Sequence, residues 1–241
     1  NKKNNDRVVV KILDWPQGAK CPFGQIIEVF GKSGDLNAEL HSIVKTHNIY
    51  EGFSKETLSY VKALTSKLSS KEIKARKDFR QDCCFTIDPK DAKDFDDAIS
   101  IKKIKTNLYE IGVHIADVSY YVKPGSAIDQ DAAKKGCSIY LSNKVIPMLP
   151  EKLANELCSL RPLEEKLCFS IVFKITDNAK IISTWAGKTI IKSKKRFTYD
   201  EAQNILNSGR GKFLGELKVL DSISKKLREN RINNGSIIIE K

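Results

Sequence analysis

The 241-residue chain lacks any apolar run approaching the roughly 18 consecutive residues that a membrane-spanning helix requires; stretches such as Ile111 to Ala116 and Ile237 to Ile239 fall far short. No apolar segment near the start resembles a secretory leader. Histidine is scarce, at three residues. The six cysteines (Cys21, Cys83, Cys84, Cys137, Cys158 and Cys168) form no CxxC pair and have no accompanying His spacing, so the signature of a zinc site is missing. A chain this long can build its own core without a disulfide framework, which points to mostly buried thiols in a reducing, cytoplasmic compartment. Glycine and proline are few, 13 and 7, against 41% hydrophobic residues, a balance that excludes a low-complexity or disordered chain. Methionine is nearly absent: the chain opens on Asn1 and its one Met is Met148. The expectation is a piece cut from a longer protein.

Positive charge is in excess. Lys and Arg number 42 against 30 Asp and Glu, for a net charge of +12, and from Asn178 to Lys241 there are 14 basic residues against 6 acidic ones. A polyanionic partner is implied. Nucleic acid and an anionic membrane surface both qualify on charge, which speaks to association rather than to chemistry.

Patterning places a strand at Arg7 to Leu13, ended by Trp15-Pro16, and a second at Gly24 to Phe30. Two strands cannot bury a core alone, so they read as the end of a small β barrel. Asp35 or Asn37 is placed to cap a helix with Leu36, Leu40, Ile43 and Val44 on one face, and Ser54 to open another with Leu58, Val61, Leu64 and Leu68. Ser70 to Arg80 is charged throughout and reads as a solvated helix or linker. Strands then predominate at Cys84 to Ile87, Ala98 to Ile104, and Leu108 to Val118. A short helix is predicted over Ser126 to Lys135, short strands at Ser138 to Leu141 and Lys144 to Ile146, and a helix over Pro150 to Leu157. Leu167 to Ile175 and Ile181 to Lys192 form a hairpin across Asp177 and Asn178. Thr198 is placed to cap a helix from Tyr199 to Leu206 with Glu201 in the capping-box position, and Phe213 to Asn230 forms the last helix, ended by Gly235. The mixture is α+β.

The segment richest in chemistry is Asp88-Pro-Lys-Asp-Ala-Lys-Asp-Phe-Asp-Asp-Ala98, with carboxylates at Asp88, Asp91, Asp94, Asp96 and Asp97. Packed carboxylates repel one another and are driven toward neutralisation. A divalent cation removes that penalty, and hard oxygen donors without His or Cys select Mg²⁺, Mn²⁺ or Ca²⁺ over Zn²⁺. An exposed acidic turn is the plain alternative, since Asp-Pro and Asp-Ala are ordinary turn residues. The calcium-loop pattern with its glycine and distal glutamate is missing. Ile87, Phe95, Ala98 and Ile99 interleave the acids and tie them to strands on both sides. Few carboxylates completed by substrate phosphate suit phosphoryl transfer, and in a basic chain this points to nucleic-acid hydrolysis.

Thr86 to Ala98 resembles the catalytic signature of the ribonuclease II and ribonuclease R family. Three further blocks agree in the same order: Val113 to Val122, Ser138 to Leu141 with Val145 to Pro150, and Leu157-Cys-Ser-Leu160. The resemblance spans residues 80–241 as the first half of the catalytic domain, and Arg7 to Gly31 resembles the end of the cold-shock-type barrel that precedes it. It is nearest to ribonuclease R, whose second cold-shock domain closes with sequence like Trp15-Pro16 and Gly24 to Val29. The resemblance implies an α+β fold: the C-terminal part of a cold-shock (OB) barrel over 1–34, a helical linker over 35–79, and the N-terminal part of an RNB-type mixed α/β catalytic domain over 80–241. It also implies magnesium-dependent 3′-to-5′ hydrolysis of single-stranded RNA to nucleoside 5′-monophosphates, with Mn²⁺ as an alternative cation. A cytoplasmic monomer with no membrane association is expected.

Carried over by the same resemblance, the family's four essential aspartates fall on Asp88, Asp94, Asp96 and Asp97, with Asp91 outside the set. Asp88 and Asp97 are expected as ligands of a first metal, Asp94 and Asp96 as holders of a second metal or of the attacking water. Tyr140 matches an aromatic that stacks on RNA near its 3′ end and Tyr199 a tyrosine associated with ribose recognition. His114 reads as a packed strand histidine, and Asp117 and Asp129 as turn or helix-start residues. Lys192, Lys194, Lys195 and Arg196 are either a solvated strand end or part of a phosphate path. The family's downstream arginine, later glutamate and S1 domain would lie beyond Lys241, and Ile237 to Ile239 stand where a second base-clamping aromatic is expected. Lys135-Gly136 stands where members commonly carry Arg-Gly. The competing class is a catalytically inactive RNA-binding module, a truncated or decayed nuclease; retention of all four aspartates favours the enzyme.

Overall fold

The computed structural model describes residues 4–237. The chain divides into two compact units, one of residues 1–57 with 127–148 and one of residues 58–126 with 149–241.

In the first unit, the Val- and Ile-rich stretches pair as antiparallel strands β1 (Asp6–Asp14) and β2 (Phe23–Lys32). The hairpin has no third strand among the described residues and leaves Ile12, Leu13, Phe23 and Ile27 exposed, as a two-stranded sheet must. Helix α1 (Leu36–Thr46) is capped by Asp35, whose carboxylate accepts the N–H groups of Asn37 and Ala38. Its buried stripe is Ala38, Leu40 and Val44, while Leu36 and Ile43 are exposed. The expected face is therefore rotated, because the small Ala38 lies against Gly31, where a Cβ would come within 3.6 Å of the alanine methyl. Helix α2 (Lys55–Ala63) starts at Ser54, whose Oγ accepts the Thr57 N–H. It stops before Leu64, leaves Leu58 exposed and buries Val61.

The second unit begins in the last turns of α2 and continues into α3 (Ser70–Lys74) and β3 (Lys77–Phe79). The reading of Ser70 to Arg80 as a solvated helix or linker holds for α3, which buries no residue, and fails at two positions, Arg76 and Phe79. Phe79 is buried and the Arg76 side chain is wholly enclosed, because Asp117 and Glu72 compensate its charge. Strands β4 (Cys83–Asp88), β5 (Asp97–Lys105) and β6 (Leu108–Ala116) come next, then α4 (Val118–Tyr121). Helix α5 (Ala127–Lys135) and the two-residue strands β7 (Ile139–Tyr140) and β8 (Val145–Ile146) return to the first unit. There the Asp131 carboxylate accepts the Ser54 N–H at 2.7 Å.

The chain re-enters the second unit through a π-helical turn at Lys152–Leu157. Strands β9 (Glu165–Thr176), β10 (Ile181–Lys192) and β11 (Lys195–Thr198) then lead to helices α6 (Tyr199–Ser208) and α7 (Leu214–Asn233). Seven strands form one mixed sheet in the order β11-β4-β5-β6-β9-β10-β3, with parallel pairs at its two edges. Helices α6 and α7 bury their apolar residues on one face through Phe85, Phe197, Ala202, Ile205 and Leu217, continued by Ile101, Ile111, Ile175 and Ile223. Thr198 caps α6 as its sequence position predicts. Glu201 does not close the capping box, because its carboxylate takes Lys195 at 2.6 Å.

All six cysteines are free: three are buried, Cys83 is half-buried, and Cys21 and Cys137 are exposed. No helix among the described residues is long and apolar enough to cross a membrane.

Candidate active site

The acidic segment sits where one hairpin comes apart. Strands β4 and β5 pair as far as Phe85↔Ile99, and beyond that point the ladder stops. Each strand then finds a partner on its other side: Asp88 lies opposite Thr198 of β11, and Asp97 opposite Ile115 of β6. Asp88 and Asp97 are thus fixed by ladders, while Pro89 to Asp96 cross the gap in a turn and irregular backbone. Asp94 and Asp96 lie in that irregular stretch.

Four groups hold the stretch in place. The Ala116 N–H donates to the Asp96 carbonyl at 2.9 Å, and the Leu160 N–H to the Phe95 carbonyl at 2.8 Å. Ser159 Oγ accepts the Phe95 N–H at 3.0 Å and donates to the Lys93 carbonyl at 3.1 Å. The Arg196 guanidinium donates to the Pro89 and Lys90 carbonyls and covers the Phe95 ring at 5.4 Å. Irregular backbone is rigid only where its polar groups have partners, and these contacts supply them.

The carboxylates are electrostatically frustrated. Asp88 is buried, and its carboxyl is raised above the usual range by that burial, opposed by the nearby Thr86 hydroxyl and the Arg196 charge, with Asp97 and Asp94 adding to the rise. Asp96 is raised by desolvation first, then by Asp94, Asp97 and Asp88. Asp88 Oδ2, Thr86 Oγ1 and Arg196 Nε are buried without a hydrogen-bond partner. An orphaned carboxylate oxygen among repelling neighbours is the donor chemistry that a hard divalent cation satisfies, and to that extent the residues fit Mg²⁺ or Mn²⁺. Among the described residues, however, no three His, Cys, Asp or Glu side chains converge on one point as a ligand shell.

Tyr199, 61% exposed, follows Thr198 directly and so stands at the strand end that carries Asp88. Tyr140 belongs to the first unit, where it is 72% exposed on β7. His114 is fully buried between Ser170 and Ser100, each 2.7 Å from a ring nitrogen, as a packed strand histidine. Asp117 is more than a turn residue. It accepts from Arg76 at 2.6 Å and from Ser119 at 2.6 Å, and although burial works to raise its carboxyl, these partners hold it below the usual range. The basic run is largely engaged: Lys194 donates to the Arg80 carbonyl, Lys195 to Glu201, and Arg196 to the acidic loop. Ile239 lies outside the described residues. Ser159 has no role legible in the sequence, although it stands inside the Leu157 to Leu160 block.

Residues 76–241 match the RNB domain and residues 1–54 the cold shock domain. Ribonuclease R of Thermotoga maritima is 40% identical over 85% of this chain, and Ribonuclease R 2 of Lactococcus lactis is 37% identical over 86%. The chain spans 29% and 31% of those two proteins, respectively. Among solved structures, Mycoplasma genitalium RNase R in complex with ribose methylated single-stranded RNA superimposes with a TM-score of 0.90 at 27% identity, over the whole of this chain and 38% of that one. With the α+β architecture, the acidic loop and these matches together, the chain belongs to the RNB domain family.

Proposed function

We propose that the chain carries the metal-binding part of a hydrolytic 3′-to-5′ exoribonuclease that acts on single-stranded RNA and releases nucleoside 5′-monophosphates with Mg²⁺ or Mn²⁺. The observation that supports this best is the acidic loop itself, whose buried Asp88 carboxylate keeps an unpartnered oxygen beside three further aspartates. Asp88 and Asp97, the two held by strand ladders, are the proposed ligands of one cation; Asp94 and Asp96 hold a second or orient the attacking water. Bound Mg²⁺ supplies charge neutralisation at the scissile phosphate and a more acidic water. Tyr199 contributes a hydroxyl for ribose beside Asp88, and the exposed Tyr140 ring a face for base stacking, worth about 1 to 3 kcal/mol per base. In the Mycoplasma relative the bound ligand is ribose methylated single-stranded RNA, in keeping with this polymer class.

A second reading, an RNA-binding module without hydrolysis, is favoured by one observation: no three carboxyl groups converge on a point among the described residues. One experiment separates the two. In the full-length protein, Asp96→Asn keeps size and removes charge, so turnover of labelled poly(A) should fall by at least about 10²-fold while RNA affinity stays within about twofold. Mass analysis of the wild-type digest should show 5′-monophosphates. Equal turnover by mutant and wild type removes the loop from the reaction, and binding without Mg²⁺-stimulated turnover establishes the module.

A further inference from the structure

The sequence of the acidic loop does not explain why Asp94 and Asp96 should hold any fixed position. Residues 92–96 have neither helix nor strand, and a solvated loop of that kind would sample many arrangements. Besides the Ala116 and Leu160 N–H groups and Arg196, one side chain grips this stretch on both sides of Asp94. Ser159 Oγ bridges two backbone groups of the loop, accepting from Phe95 N–H at 3.0 Å and donating to Lys93 C=O at 3.1 Å. The two bonded residues bracket Asp94, and the second of them precedes Asp96. A hydroxyl suits this place because it is donor and acceptor at once; alanine is neither, and a bulkier group would not fit a position with 0% exposure.

Ser159 is itself rigidly mounted. The π-helical turn ends with the Cys158 N–H on the Leu153 carbonyl at 2.9 Å, and the Arg161 N–H closes a tight turn on the Ser159 carbonyl at 2.8 Å. Between them, Leu160, also fully buried, donates its N–H to the Phe95 carbonyl. The extra residue of a π-turn displaces the next residues relative to an α-helix, and here those residues carry the Ser159 clamp.

We infer that Ser159 is the positioning residue of the acidic loop: through the backbone of Lys93 and Phe95 it sets where the Asp94 and Asp96 carboxylates stand. The inference rests on the reading of that loop as the reaction centre. Ser159 touches no reacting group and acts only through the loop.

The test compares Ser159→Ala in the full-length protein with Ser170→Ala, a similarly buried serine on β9 whose hydroxyl bonds His114 and Thr189. Amide hydrogen exchange without metal or RNA should accelerate at least about tenfold across residues 91–97 in Ser159→Ala and less than about twofold there in Ser170→Ala, whichever variant loses more thermal stability. Mn²⁺ affinity by calorimetry should weaken at least about tenfold in Ser159→Ala alone. If Ser159→Ala does not fold, Ser159→Cys, similar in size and weaker as donor and acceptor, should give a smaller acceleration confined to the same segment. Unchanged exchange in residues 91–97, or the same acceleration in Ser170→Ala, overturns the inference. A wild type that binds no Mn²⁺ but shows the exchange pattern keeps the clamp and discards the metal-dependent reading.

Discussion

At the residue scale, the second unit stakes stability on keeping His114 neutral. Its Nδ1 and Nε2 face Ser170 and Ser100, and Ser170 passes the chain on to Thr189 at 2.5 Å. A neutral ring donates from one nitrogen and accepts at the other, and Gly112 leaves the space, since a Cβ there would stand 2.7 Å from Nε2. Burial lowers the ring to about 4 from an ordinary value of 6.5. Because the folded value is the lower one, the unfolded chain takes up the proton first. The stability is complete above pH 6.5 and is lost as pH falls toward 4, by about 3 kcal/mol in all. Urea unfolding of wild type and His114→Gln between pH 7 and 4 should show the wild type losing stability more steeply by that amount, and parallel curves would show that the histidine is not held neutral. Raised carboxyls such as Asp88 and Asp96 act with the opposite sign, which is why the difference between the two proteins is the quantity to read.

At the element scale, the Arg76 and Asp117 pair holds four pieces of the second unit together. The guanidinium reaches Glu72 of α3, the Cys168 carbonyl of β9 at 3.1 Å, the Thr189 carbonyl of β10 at 3.3 Å, and Asp117 just before α4. Removing one partner strands a buried charge, so Arg76→Ala should lower unfolding free energy by about 3 to 5 kcal/mol. Arg76→Lys should recover only part of it, because an ammonium lacks the planar fork that serves several acceptors; full recovery in urea unfolding would mean that charge alone matters. This pair also lies past the limit of what the sequence makes legible. Most strand and helix positions, the Asp35 and Thr198 caps and the acidic loop were legible, since each is written in local periodicity, capping residues or clustered charge, whereas the short edge strands β3 and β11 and the one-turn α4 were not. Arg76 was not, because in a charged segment nothing local distinguishes the one residue whose partner lies 41 positions away. Ser159 stayed silent for the same reason, and Arg196 was legible only as part of a basic run and not as a clamp: they act on loop backbone 64 and 107 residues distant, and backbone contacts leave no trace in side-chain patterning.

At the scale of the whole molecule, a net charge of +12 predicts RNA binding that weakens with salt, but only the placement of the cations says where the strand runs. Many are committed to neighbours: Lys194 and Lys226 donate to backbone carbonyls, Lys195 and Lys225 to carboxylates. Arg210 and Lys212 stand exposed on the Gly209 to Lys212 turn after α6. They line an open cleft of about 960 Å³ that also includes Lys90 of the acidic loop, Lys195 paired with Glu201, and Asp200, so its cations outnumber its carboxylates by four to two. A strand whose end reaches Asp88 is therefore expected to lay its backbone along this cleft. Each phosphate neutralised on a single strand contributes about 0.7 to the slope of log affinity against log salt. Reversing both charges in Arg210→Glu with Lys212→Glu should remove about two such contacts, reduce the slope by more than about 1, and weaken poly(A) and poly(U) equally, since phosphate contacts carry no sequence information. Fluorescence anisotropy over a KCl series measures it. An unchanged slope would place the strand on another face, and a loss confined to one sequence would mean that these side chains read bases instead of phosphates.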